Sequence, residues 1–162
     1  MVRKTFKNVP YRRKREDKTD YRTRLKMLQS GRLRLVLRRS LKNFNIQVIQ
    51  YKTEGDQVVA EANSKELEKL GWTHAKGNIP AAYLTGYLLG RKCQNKGLKD
   101  FIVDIGMQKS TRGSRLYAAV KGFTDSGIEV NCDEKMFPSD DRIKGEHISK
   151  DLDLEQIKEK IK

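Results

Sequence analysis

A segment opened by Asn78 and Pro80 and closed by Gly97 reads as one long helix, and it runs almost directly into the unbroken apolar stretch 101–105. That order allows few folds. A strand reached through a long helix returns parallel to an earlier strand, by a right-handed crossover. Earlier strands are available. In 32–40, Leu33, Leu35 and Leu37 alternate with Arg32, Arg34 and Arg38; in 43–51, Phe44, Ile46 and Val48 alternate with Asn45, Gln47, Ile49 and Tyr51; in 57–63, Val58, Ala60 and Ala62 alternate with Gln57, Val59, Glu61 and Asn63. The connections between these three are short, so they predict an antiparallel meander. The expected fold class is therefore α/β: a mixed sheet, made of a three-strand meander plus one parallel strand, with helices packed on it.

Local signals place the remaining elements. Thr19 or Asp20 caps a helix that Gly31 stops, with Tyr21, Leu25 and Leu28 on one stripe. Asn63 and Glu66 form a capping-box pattern before a short helix ending near Gly71. In the long helix Ala82, Gly86 and Gly90 line up at every fourth position, which predicts a backbone lying close to the sheet. After a polar stretch from Gly106 to Ser114 comes a helix carrying Leu116, Val120 and Phe123, then a short extended piece at 128–130. Leu154, Ile157 and Ile161 outline a short amphipathic helix within 149–162.

Charge divides the chain unevenly. Residues 1–42 hold 16 Lys/Arg against 3 Asp/Glu, whereas the other 120 residues hold 19 against 18. Between Asp125 and the end, 11 acidic residues outnumber 7 basic ones. The expected domains are a basic RNA-binding arm (1–18), extended and disordered when free; an α/β RNA-binding domain (19–130); and a polar, acidic tail (131–162) able to form a short helix. A basic block of this density is the footprint of a nucleic-acid binder, although targeting and solubilising tails share it. Candidate phosphate and base contacts in the arm are Arg3, Lys4, Lys7, Arg12, Arg13, Lys14, Arg15 and Lys18, with Phe6 and Tyr11 interleaved. On the first strand Arg32, Arg34 and Arg38 share one face, and Asn45, Gln47 and Gln57 are expected beside them. The stretch 109–114, between strand and helix, offers backbone N–H groups, hydroxyls and Arg112 to an anion, or is an ordinary polar loop with Ser114 as a cap.

Enzyme signals are thin. His74 and His147 have no metal-ligand spacing, and nothing resembles a nucleophile elbow. A sheet of this order resembles ribonuclease-H-type nucleases, which need several converging carboxylates, yet Asp104 is the one acid of its strand and reads as a structural anchor. No cofactor, metal or small-molecule substrate is expected. Cys93 and Cys132 are expected as thiols. No apolar run is long enough to span a bilayer.

Four blocks carry a family resemblance: residues 12–21 (RRKREDKTDY); Asn78-Ile79-Pro80-Ala81-Ala82-Tyr83-Leu84-Thr85-Gly86; Ser110-Thr111-Arg112-Gly113 with Ala119-Val120-Lys121-Gly122; and Phe137-Pro138 followed by His147-Ile148. In this order they resemble the large-subunit ribosomal proteins that bind 5S ribosomal RNA, L-eighteen of archaea and bacteria and L-five of eukaryotes. The likeness spans about 2–149 and is nearest the archaeal type. It implies an α/β fold and a place in the cytoplasmic ribosome. The implied role is attachment of 5S RNA to the central protuberance of the large subunit. The implied partners are 5S RNA, the large ribosomal RNA and neighbouring large-subunit proteins, with no membrane. Carried onto this chain, it implies RNA contacts from the arm, from Thr19 to Arg24 (Thr19, Tyr21, Arg22 and Arg24 foremost), from Arg32, Arg34 and Arg38, and from Ser110, Thr111, Arg112 and Arg115.

Overall fold

The computed structural model describes residues 8–148 and 154–161. Its centre is a four-stranded sheet of β1 (Leu33–Arg39), β2 (Phe44–Gln50), β3 (Gln57–Asn63) and β4 (Phe101–Asp104), in the order β3-β2-β1-β4. The three meander strands are antiparallel and β4 lies parallel to β1, as the helix-then-strand order requires. The two strands meet at Leu33↔Phe101 and Leu35↔Val103. A parallel bridge from Phe101 to Val130 extends that edge, where the extended piece was expected.

One face of the sheet is covered by α3 (Ile79–Asn95) and α4 (Arg115–Asp125). Leu35, Leu37, Phe44, Ile46, Val48 and Ala62 are fully buried against Ala81, Leu84, Leu89, Val120 and Phe123. Asn78 caps α3 by accepting from the Ala81 N–H at 2.9 Å, with Pro80 in the first turn. The line of small residues works differently from the expectation. Gly86 and Gly90 face α4, not the sheet: a Cβ on Gly86 would stand 2.0 Å from the Ala119 carbonyl oxygen, and one on Gly122 of α4 2.0 Å from that of Tyr83. The two helices touch backbone to backbone, and apolar side chains of the sheet fill the space below them.

The capping box at Asn63 and Glu66 forms, and it opens a 3-10 helix, Ser64–Leu70, that ends on left-handed Gly71. In the tail, the short amphipathic helix expected from Leu154, Ile157 and Ile161 forms. A short 3-10 turn (Glu134–Met136), α5 (Asp140–Lys144) and α6 (Leu154–Ile161) fold back on the helical layer, burying Ile143, Leu154 and Ile157. Lys158 Nζ sits 4.8 Å from the Tyr83 ring centre, and Lys160 donates to the Leu70 carbonyl at 3.2 Å. A few apolar side chains spaced for one helix face are enough to dock a segment when a core already stands beside it. Cys93 is buried in the core and Cys132 half-buried, both as thiols; burial pushes the Cys93 thiol up to about 11. Among the described residues, no helix is long and apolar enough to cross a membrane.

Candidate nucleic-acid interface

The cationic end of the chain lies over the sheet face opposite α3. There α2 (Tyr21–Gln29) starts at Asp20, whose Oδ1 accepts from the Arg22 and Thr23 N–H groups at 2.9 and 3.3 Å. The Thr23 hydroxyl donates to Oδ2 at 2.6 Å, and this bond, with the two backbone ones, holds the Asp20 carboxyl below the usual carboxylate range. The stripe expected on α2 stays largely open: Tyr21 is 37% and Leu25 58% exposed, Leu28 is half-buried, and no residue of α2 is fully buried.

Preceding α2, the arm is not extended throughout. Residues Arg12–Arg15 form the single turn α1, and the Lys18 N–H donates to the Arg13 carbonyl at 2.9 Å. Two contacts fold this piece onto the start of α2. The Tyr11 and Tyr21 rings lie 5.5 Å apart, and Arg13 Nε donates to the Thr19 hydroxyl at 2.9 Å. Glu16 answers Lys18 at 2.8 Å and Arg12 at 3.8 Å, both at the exposed rim. Lys14, Arg15, Arg22, Lys26 and Arg32 are exposed with no acidic partner among the described residues. Arg3, Lys4 and Lys7, and with them Phe6, lie outside the described residues.

The cationic strand face needs correction. Arg34 is 3% exposed, and its guanidinium donates to Asp56 Oδ2 at 2.6 Å and to Asp104 Oδ2 at 3.2 Å. Arg38 donates to Asp104 Oδ1 at 3.1 Å and to the Leu37 and Asp104 carbonyls, leaving its side chain 45% exposed. Arg24 of α2 reaches the same Asp56 oxygen at 2.8 Å. Burial would raise the Asp56 carboxyl, but the hydrogen bonds from Arg24 and Arg34 outweigh it and hold it below the usual range. The outward arginines are thus strung through two acids into one network, Arg24–Asp56–Arg34–Asp104–Arg38, which ties α2 to the sheet. Of the three only Arg32 presents an uncommitted charge. Asp104 also accepts from the Gly106 N–H at 2.8 Å, the anchoring role its position suggests. Gly106 has φ +63°, and a Cβ there would press within 2.9 Å of the Arg38 guanidinium carbon.

The polar neighbours are split. Asn45 sits opposite Arg38 in the register, as expected. Gln47 lies opposite Val36 and donates to Glu61 at 3.1 Å, while Gln57 pairs with Gln50 at the far end of the sheet, beyond a bulge. The loop after β4 is also largely self-satisfied. Ser110 Oγ and Tyr117 OH share a 2.5 Å hydrogen bond, the Gly113 N–H donates to Met136, and that of Ser114 to Thr111. Ser114 occupies the N-cap position of α4, but its hydroxyl makes no capping bond. Arg115 is spent on the Gly77 carbonyl at 2.5 Å. Thr111 and Arg112 remain exposed. The alternation missed two cations, Arg39 and Lys42, both exposed at the β1–β2 turn. It also missed Asp56; its place two residues before Val58, whose partner Ile49 faces Arg34, was the available signal.

These charges meet known relatives. A family model described as ribosomal large subunit proteins 60S L5, and 50S L18 matches residues 4–102. The chain is 50% identical over 149 residues to the large ribosomal subunit protein uL18 of Korarchaeum cryptofilum, covering 92% of this chain and 76% of that protein. It is 41% identical to uL18 of Methanothermobacter thermautotrophicus, covering 94% and 81%, and 43% identical to uL18 of Methanococcoides burtonii, covering 94% and 92%.

Proposed function

From its membership of the family of ribosomal large-subunit proteins 60S L5 and 50S L18, to which the chain belongs, we propose that it binds 5S ribosomal RNA and helps attach it to the large ribosomal RNA in the central protuberance. As a family member of archaeal type it is a structural, non-catalytic part of the large ribosomal subunit, whose partners are ribosomal RNA and neighbouring ribosomal proteins.

One observation carries the finer reading. Lys14, Arg15, Arg22, Lys26 and Arg32 stand exposed and, among the described residues, unanswered by acids over one end of a chain that is otherwise nearly neutral. Four cations in the single turn of α1, with only Glu16 and Asp17 directly following, repel one another unless phosphates lie between them. In this reading RNA contact resides in residues 1–130. The arm, with Tyr11, Tyr21 and the charges of α2, touches phosphates and unstacked bases. Arg34 and Arg38 hold the platform, and Arg32, Asn45, Thr111 and Arg112 supply peripheral contacts. Phosphate contacts give affinity, and RNA shape with exposed bases gives selectivity.

The test is affinity for a 5S transcript against an unrelated structured RNA of equal length, across a salt series. If Z phosphates are engaged, log affinity falls with log salt with a slope of roughly −0.7Z to −0.9Z. Deleting residues 1–18 is expected to flatten that slope. Equal affinity for both RNAs, or a slope unmoved by the deletion, overturns the reading.

A further inference from the structure

Between α2 and the sheet lies a cleft of about 170 Å³, lined by five cations: Arg13, Lys18, Arg24, Arg34 and Arg38. Two acids line it as well, and both are already engaged. Asp20 caps α2, and Asp104 holds Arg34, Arg38 and the Gly106 N–H; from outside the lining, Asp56 answers Arg24 and Arg34, and Glu16 answers Lys18. Five cations against four acids leave one positive charge over, and Arg13, which donates to the Thr19 hydroxyl, has no acidic partner among the described residues. The lining also holds two hydroxyls, Thr19 and Thr23. One further donor has no acceptor among the described residues: the Nε–H of Arg34, a side chain 97% buried, is without a hydrogen-bond partner there. A surplus positive charge and an unpartnered buried N–H in a recess of low dielectric are costly, and an anion removes that cost.

We propose that this cleft is a preformed seat for one phosphate group, filled by a single backbone phosphodiester of the RNA; the inference rests on the RNA-binding reading above and narrows it to one contact. The size of the cleft selects the ligand. Pockets for drug-sized molecules run from about 300 Å³ upward, so this recess takes a tetrahedral oxyanion and not a base with its sugar. Its composition selects charge: Arg guanidiniums and Lys ammonium make the short, strong hydrogen bonds that phosphate oxygens accept. Its position gives the contact a purpose. Arg13 and Lys18 come from the arm, Arg24 from α2, and Arg34 and Arg38 from β1, so one phosphate fastens the arm to the folded body.

The probe is inorganic phosphate, titrated into the full-length chain and followed by ¹⁵N NMR. One saturable step is expected, confined to residues 13–24, 38 and 106. Arg13→Gln and Lys18→Gln, both at exposed positions, are each expected to weaken it about tenfold. Lys99→Gln removes the same charge outside the cleft and is expected to leave it unchanged. Adding 5S transcript is expected to displace the phosphate. The seat is overturned by shifts spread evenly over the basic surface, by an equal loss in Lys99→Gln, or by RNA and phosphate binding without competition. Full 5S affinity with no localised phosphate response overturns the seat and leaves the RNA-binding reading standing. A localised response in a chain without 5S preference supports the seat as an anion site and overturns the reading it narrows.

Discussion

Arg24 of α2 and Arg34 of β1 converge on a single oxygen, Asp56 Oδ2, at 2.8 and 2.6 Å. With little apolar surface buried beneath α2, this shared acid is what fastens the helix to the sheet. Asp56→Asn removes the charge that both guanidiniums answer, leaving Arg34 on Asp104 alone. A cost of about 2 kcal/mol is expected, read from urea unfolding. Hydrogen exchange is expected to quicken in α2 and to stay slow in α3. Arg34→Ala is accordingly expected to lower stability, not to act as a simple loss of one phosphate contact.

The same acid sets a pH dependence. Its folded-state carboxyl titrates below the ordinary value near 4, so its stabilisation is fully present above that value. It is lost as pH falls through the depressed folded-state value. Stability measured across this acid range is expected to fall less steeply in Asp56→Asn than in the parent chain. Parallel curves would show that Asp56 carries none of the acid sensitivity.

Gly86 is held by space alone, since a Cβ there would strike the Ala119 carbonyl of a neighbouring helix. Gly86→Ala must push α3 from α4, for a loss of about 3 kcal/mol. Gly97, with φ +65° and nothing within 4 Å of an added Cβ, bears only backbone strain, so Gly97→Ala is expected to cost about 1 kcal/mol. Melting temperatures of the two variants, compared side by side, check this ranking.

β3 is an open edge of the sheet, and α3 guards it. Lys96 Nζ donates to the Val59 carbonyl at 2.6 Å and Lys92 Nζ to that of Glu61 at 2.9 Å, beside the bulge in β3. Charges and bulges on an edge discourage pairing with other strands. Removing both lysines (Lys92→Ala with Lys96→Ala) is expected to raise self-association, seen as larger species in sedimentation velocity. A double variant as monodisperse as the parent would show that the edge needs no such guard.

Much of this architecture was legible in local pattern. Period-two alternation marked β1, β2 and β3, and the helix leading into 101–105 required the parallel strand. Asn63, Asn78, Gly71 and Gly127 stand where helices start or stop, because capping depends on a few adjacent backbone groups. The small residues of α3 were visible, but their partner was not, since spacing specifies close approach and not to which surface. The docking of α6 was equally hidden, because its value depends on Tyr83 and the core already standing beside it.

The interface divides along the same line. Composition alone placed an excess of cations in residues 1–42, and alternation alone put Arg32, Arg34 and Arg38 on one face. Neither says which of those charges stays free. That was decided by Asp56 and Asp104, acids 22 and 70 residues away from Arg34 in the chain, delivered by a hairpin turn and a helical crossover. An ion pair needs atoms within a few ångströms, and only the folded chain brings such distant residues that close.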